Sequence, residues 1–491
     1  MVGGKKEGST LEYDLVVRGG TAVLGDDVVR ADIGIVGSRI AGIGEDLHGT
    51  ATLDAGGLLV LPGGVDTHCH IEQLQNLDGG ADEESWASGS RSCLLGGTTS
   101  VISFSTQFKG GGIAAPLADY RARAEAGAMV DYGLHQIIAD ASDDVIFREI
   151  PEVVATGIRS LKVFMTYDAM HLDDRGYLRV LAAARRAGAL VTVHCENYEA
   201  IGWRTEALLA AGLTAPKYHA WSRPRMIERE ATHRAIALAE MVDQPIQIFH
   251  VSCAEVAAEI AAAKARGLKV WGETCTQYFT LTAGDMDRPG FEGAKFMCSP
   301  SPRDSVDHQG MWDMVRAGTL DVVSSDHSGW SYGGPRGKRV NGEDAAFPAI
   351  PNGIPGLCAR LPLMFSEGVA AGRIDLPTFV RLIASNPARL FGLTTKGSLA
   401  VGKDADIVLW DPSREVKLTQ GLMGHAIDYT PYEGHDVTGW PTTVVRRGTV
   451  VMRDGAVQAE PGSGRYLPRG PYDVIKPRGV LPDGFDASMW A

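Results

Sequence analysis

Residues 157–167 read GIRSLKVFMTY, an apolar run suited to a buried strand with Lys162 in its middle. A lysine ammonium is costly to desolvate there, so either it snorkels to water or chemistry removes its charge. Runs of the same kind recur on both sides. GGLLVLPGGVDTHCH (56–70), GGTTSVISFST (96–106), DYGLHQIIAD (131–140), the Lys162 run, GALVTVHCEN (188–197), QPIQIFHVSC (244–253), GLKVWGETCT (267–276) and TLDVVSSDHS (319–328) make eight. Between them lie Ala-, Arg- and Glu-rich stretches such as YLRVLAAARRAGA and AEVAAEIAAAKARG, which suit amphipathic helices. Eight β/α units with no G-x-G-x-x-G at the first predict an α/β fold, a closed TIM-like (β/α)8 barrel over residues 61–395.

The two ends have a different rhythm. YDLVVRGGTAVLGDDVVRADIGIVGSRIAGIGED (13–46), GSLAVGKDADIVLWDPS (397–413) and TTVVRRGTVVMRDGAV (442–457) alternate short β-rich runs with turn residues. Neither end is a comfortable domain alone, so residues 1–60 and 396–460 are expected to pair into one small β-sandwich. Residues 461–491, rich in Pro and Gly without periodicity, read as an extended arm. Such an arm packs on a surface, a neighbouring subunit's included, or else hangs loose.

With 491 residues, 44% of them hydrophobic and 22% charged, the chain can fill a large core. A net charge of −13 argues against nucleic-acid or anionic-membrane partners. Two N-terminal lysines precede no apolar segment, and no apolar run approaches the roughly 20 residues of a membrane span, so a cytoplasmic protein is expected. Seven cysteines without a C-x-x-C pair suit reduced, buried thiols.

In a barrel, chemistry sits at the C-terminal ends of the strands. There the sequence places Asp66, His68 and His70 (first strand), Lys162 and then Tyr167 (fourth), His194 (fifth), His250 (sixth) and Asp326 beside His327 (eighth). Imidazole and carboxylate donors without thiolates suit zinc or another divalent transition metal in an open, catalytic site. Cys69 and Cys195 lie next to candidate ligands, but strand alternation turns them to the other face, where they pack. Taken alone, Lys162 would be a lysine paired with a strand-end Asp or one reaching solvent at the rim. Beside these histidines a second account gains ground. The neutral amine combines with carbon dioxide to give a carbamate, an anionic ligand able to bridge two metal ions.

The segments GGVDTHCH, SLKVFMTY, VTVHCEN, IFHVSC, SSDHS and IPNGIPG resemble the motif series of the amidohydrolase superfamily, in its dihydropyrimidinase and hydantoinase branch, over residues 10–470. The resemblance implies two divalent metal ions, zinc being the usual pair. His68 and His70 would hold one, His194 and His250 the other, and carboxylated Lys162 would bridge them. Asp326 would bind the first metal and shuttle the proton, Tyr167 would stabilise the oxyanion, and the backbone at Ser299 (in CSPSPR) and Asn352 (in IPNG) would bind the ring amides. The implied reaction opens a small cyclic amide or ureide to an N-carbamoyl amino acid, in a homo-oligomer that is usually a tetramer.

Two segments depart from the branch pattern. Glu72 follows His70 in IEQLQNLDGGADEESW, with Asp78, Asp82, Glu83 and Glu84 behind it, and Tyr198 stands after His194 where a Gly is usual. Both are expected on loops over the barrel mouth, where they would bear on substrate choice. Glu72 is expected either to select a donor-rich or cationic substituent or simply to face solvent or a neighbouring loop. It also opposes a dihydroorotase-like reading, because that relative places an Arg there to hold a substrate carboxylate. The remaining alternatives are an allantoinase or imidase, which keeps the ligands and changes the loops, and a metal-free structural homologue like the collapsin-response-mediator proteins. A deaminase on the same barrel would normally lack the strand-four lysine.

Overall fold

The computed structural model describes residues 12–73 and 84–481. The N-terminal strands are β1 (Tyr13–Leu24), β2 (Asp27–Val36), β3 (Arg39–Gly44), β4 (Gly49–Asp54) and β5 (Leu59–Pro62). Then come β6 (Gly64–His70), β7 (Thr98–Thr106), β8 (Asp131–Ile137), β9 (Ser160–Phe164), β10 (Leu190–His194), β11 (Ile246–Ile248), β12 (Val270–Cys275), β13 (Leu320–Ser324) and the two-residue β14 (His327–Ser328). The last strands are β15 (Ile407–Lys417), β16 (Asp436–Arg446), β17 (Thr449–Arg453) and β18 (Ala456–Val457).

Strands β6 to β13 run parallel, each beside the next in sequence, and β14 returns to pair with β6. Because β14 continues the chain from β13, the barrel is closed by one stretch, with the Asp326 N–H donating to His68 O at 2.9 Å. Side-chain alternation separates two cores. Leu161, Val163, Val191 and Val193 pack outward against the helices, while Phe104, Phe164, Leu190 and Phe249 belong to a separate cluster within the barrel. Lys162, between Leu161 and Val163, therefore points inward. Each buried aliphatic side chain contributes about 1.5–3 kcal/mol. The stretch expected to be helical after β9 forms Asp174–Ala187, where the Asp173 side chain caps the Gly176 N–H and Tyr177, Val180, Leu181 and Ala184 are buried.

The second sheet joins both ends of the chain, in the order β18-β17-β16-β15-β5-β1-β2-β3, with β4 also on β1. It encloses a small core that includes Val17, Ile33, Val60, Ile407, Leu409 and Val445. The first half of β1 pairs with β4 and its second half with β5, across an irregularity between Val17 and Gly20. One expectation is corrected here. GGLLVLPGGVDTHCH is two strands, because β5 pairs antiparallel with β15 and only β6 enters the barrel. The chain changes sheets at Gly63, whose N–H bonds Asp406 O and where a Cβ would meet Thr99 Oγ1 at 2.2 Å.

The described part of the arm packs on its own barrel, at the N-terminal ends of the strands. Tyr132 N–H donates to Arg465 O (2.9 Å), Leu467 N–H to Tyr132 O (2.7 Å) and buried Arg469 to Ser160 Oγ (2.8 Å). Tyr472 closes against Leu390 O at 2.8 Å. No helix of the described residues is long and apolar enough to cross a membrane.

Candidate active site

The C-terminal rim opens into a cavity of about 430 Å³ lined by His68, His70, Lys162, Tyr167, His194, His250, Ser299, Asp326 and Asn352. Phe164, Met170, Trp330 and Ile350 supply apolar wall. Asp326 Oδ1 lies 3.1 Å from His68 Nε2 and 3.4 Å from His70 Nε2, and donor atoms of these three residues fall within 4.8 Å of one another. The rings of His194 and His250 are 4.3 Å apart, and that of His250 is 5.3 Å from His68. Burial holds His68, His194 and His250 well below the usual imidazole range, leaving neutral rings with lone pairs for a cation.

Lys162 is fully buried, and its Nζ has no hydrogen-bond partner. It lies 4.2 Å from the centre of the Phe249 ring and 4.8 Å from that of Phe164. Desolvation pulls its pKa down to about 8, against the opposing pull of Asp326 and Glu273. Among the described residues Lys162 is thus neither a rim lysine nor closely paired with an aspartate. His250 Nδ1 is a second buried, unpartnered nitrogen in the cavity. Two orphaned nitrogens inside a ring of neutral imidazoles and a carboxylate fit a divalent metal centre.

Three residues at the site hold left-handed backbone: Tyr167 (φ 70°), His250 (φ 42°) and Asp326 (φ 46°). None is glycine, and such strain costs about 1–3 kcal/mol each. Burial also pushes the Tyr167 phenol up, so the hydroxyl stays protonated and able to donate. Ser299 precedes a cis proline, and its Oγ lies 3.3 Å from Nε2 of His219, which bonds Cys298 O at 2.9 Å. Asn352 Oδ1 is buried without a partner. Gly353, at φ 122°, donates its N–H to Met297 O at 3.0 Å and so joins the two loops. A Cβ there would meet Ser328 Cβ at 2.5 Å.

Several supporting residues escape a sequence reading. Glu273 accepts from Ser324 Oγ (3.0 Å) and the His250 N–H (3.4 Å) and shares a hydrogen bond with His68 Nδ1 (2.6 Å). Gln73 bonds His70 Nδ1 and donates to Thr106 Oγ1 at 2.8 Å. Glu196 sits between His194 Nε2 (2.7 Å) and Arg223 Nη1 (2.9 Å). Only the placement of lone polar residues beside predicted ligands could have suggested them. Asp66 stays outside the cluster: its Oδ1 accepts from the N–H groups of His68 and Ser325 at 3.2 Å each. Cys69 and Cys195 pack in the outer core.

Glu72 and Tyr198 do not line the cavity. The Glu72 carboxylate accepts the Trp86 N–H (2.7 Å) at the start of the helix Trp86–Leu95 and faces Arg123 Nη1 at 3.5 Å. Tyr198 bonds Asp168 through its hydroxyl and stacks on His171, with ring centres 4.4 Å apart. Of the acids behind Glu72, Glu84 bonds buried His327, whereas Asp78, Asp82 and Glu83 lie outside the described residues.

A closed parallel barrel with histidines, a lysine and an aspartate converging in one cavity at its C-terminal rim defines a barrel enzyme with a candidate metal centre. Residues 59–451 match the amidohydrolase family. The chain is 43% identical to a D-hydantoinase of Ralstonia pickettii over 462 residues, 94% of this chain and 99% of that one. Its fold superposes on a D-hydantoinase structure with a TM-score of 0.89 at 42% identity, covering 93% and 99% of the two chains. The dihydropyrimidinase from Brevibacillus agri NCHU1002 gives the same score and coverage at 38% identity. This chain belongs to the amidohydrolase family.

Proposed function

We propose that the protein opens the cyclic amide ring of dihydropyrimidines or 5-substituted hydantoins, releasing N-carbamoyl amino acids. The observation that carries this is Lys162, a buried, unpartnered amine among four histidines and Asp326 at the rim of the barrel. The names of the relatives, hydantoinases and a dihydropyrimidinase, support the substrate class.

In this reading His68, His70 and Asp326 would hold one divalent ion and His194 and His250 a second, with carboxylated Lys162 as a ligand shared between them; the donor set suits zinc. Bound there, the ions supply an acidified water and polarise the ring carbonyl. Asp326 takes a proton from the attacking water and delivers it to the ring nitrogen. The new C–O bond forms first, placing charge on the carbonyl oxygen; the ring C–N bond then breaks as the C=O re-forms and its nitrogen takes the proton, and the product is neutral at that nitrogen. The Tyr167 hydroxyl donates to the oxygen that gains charge. The backbone at Ser299 and Asn352 orients the ring amides, and the apolar wall of Phe164, Met170, Trp330 and Ile350 faces the ring substituent. A cytoplasmic location is in keeping with seven free, buried cysteines. A homotetramer is proposed from the family resemblance and is tested by mass measurement in solution.

The deciding assay compares dihydrouracil, a 5-substituted hydantoin and allantoin with zinc-loaded protein at mildly alkaline pH. Turnover of either of the first two supports the proposal. Turnover of allantoin alone moves the chemistry to an allantoinase substrate, and silence on all three moves it to another cyclic amide such as an imide.

A further inference from the structure

Lys338 lies in the long connection after β14, away from every predicted ligand, and its side chain is completely buried. Its Nζ donates to three backbone carbonyls, of Met297 (3.1 Å), Pro351 (2.8 Å) and Gly353 (2.7 Å). Among the described residues no carboxylate pairs with it. Burial pushes its pKa down to about 7. The three carbonyls nevertheless match the three N–H bonds of an ammonium, whereas a neutral amine would turn its lone pair on one of them. The side chain thus fills a carbonyl-lined cation site with a tethered cation.

What it ties together is informative. Met297 stands two residues before Ser299, and Pro351 and Gly353 flank Asn352. Ser299, Asn352, Pro351 and Gly353 all line the cavity. Among the described residues one direct backbone bond, Gly353 N–H to Met297 O, otherwise joins these segments.

We propose that Lys338 is a positioning residue for substrate, setting the separation of the two loops whose backbone grips the ring amides. The inference rests on the amide-binding role given above to Ser299 and Asn352. A residue that merely supported the fold would lower stability or metal content. A residue that sets the spacing of the two loops acts on binding, because the reacting groups on the strands stay in place.

The test uses the zinc-loaded enzyme with a 5-substituted hydantoin. Lys338→Met keeps the apolar stem and removes the donors. It is expected to raise KM about tenfold while kcat stays within about threefold and bound zinc is unchanged. Lys338→Ala removes four side-chain atoms beyond Cβ, the size of n-propylammonium. Adding n-propylammonium should return most of the lost affinity, and tetramethylammonium, which has no N–H, should not. An unchanged KM in the Met variant, or a loss in the Ala variant that n-propylammonium does not reverse, overturns the proposal. The wild type with an N-methylated hydantoin checks the underlying reading. If the methyl group leaves KM unchanged, amide binding by these loops is wrong and the proposal falls with it. If it weakens binding while Lys338→Met does not, the proposal alone falls.

Discussion

His68 Nδ1 and Glu273 Oε1 share a hydrogen bond of 2.6 Å, with both side chains buried. This bond holds the ring in orientation, with Nε2 facing Asp326 and His70. Burial pushes the Glu273 carboxyl well above its usual range, while Lys162 and the Ser324 hydroxyl oppose that shift. Glu273→Gln is therefore expected to weaken zinc retention by about ten- to a hundredfold. Residual zinc after dialysis against a graded chelator measures it, with far-UV circular dichroism unchanged; full retention would refute the orienting role.

Lys162→Met should separate stability from activity. Removing an unpartnered buried amine and keeping its stem is expected to raise the stability of the metal-free protein by about 1–3 kcal/mol. Ring-opening activity should be lost, because methionine cannot form a carbamate. Denaturant unfolding of the metal-free proteins and hydantoin turnover of the zinc-loaded ones report the two effects. A variant that keeps both zinc content and turnover would exclude lysine carboxylation.

His219 predicts a pH effect away from the metal residues. Burial pulls its pKa from 6.5 to about 3, so the native state holds it neutral while the unfolded chain protonates it below 6.5. Its contribution to stability is complete above pH 6.5 and declines by about 1.4 kcal/mol per pH unit as the pH falls toward 3. Metal-free wild type and His219→Asn, unfolded in urea at several pH values between 4.5 and 7.5, should show that slope in their difference. Parallel pH profiles would contradict it.

Glu72→Gln should leave the rank order of substrates as in the wild type, since the carboxylate lies outside the cavity. Weakening its charged contact with the Trp86 N–H and with Arg123 is expected to cost about 0.5–1 kcal/mol. Turnover of cationic against neutral hydantoin substituents provides the check. A changed preference would return Glu72 to the substrate path.

Much of the barrel was legible because its strands carry their own periodicity, and His68, His70, His194, His250 and Asp326 stand at strand ends where side-chain type and position speak together. The split of the first run at Gly63 was hidden, because Leu59–Pro62 and Gly64–His70 are equally apolar and only pairing partners distinguish them. Glu273 and Gln73 were hidden for another reason. A single polar residue in a strand or loop has no pattern, and its role exists only once a distant histidine is brought to it. Lys338 lies in a connection without periodicity, and the left-handed backbone of Tyr167, His250 and Asp326 leaves no glycine as a trace.

The pairing of β5 with β15 bears on the order of synthesis. Every residue proposed to hold a metal, from His68 to Asp326, leaves the ribosome before β15 exists to cover β5, and Arg469 reaches the barrel floor later still. The nascent chain thus carries the whole proposed metal centre while its end sheet lacks four of its nine strands. Contacts between residues so far apart in sequence form late, and until then an apolar β5 edge stays open. Protection of that edge from other chains therefore waits on the synthesis of β15.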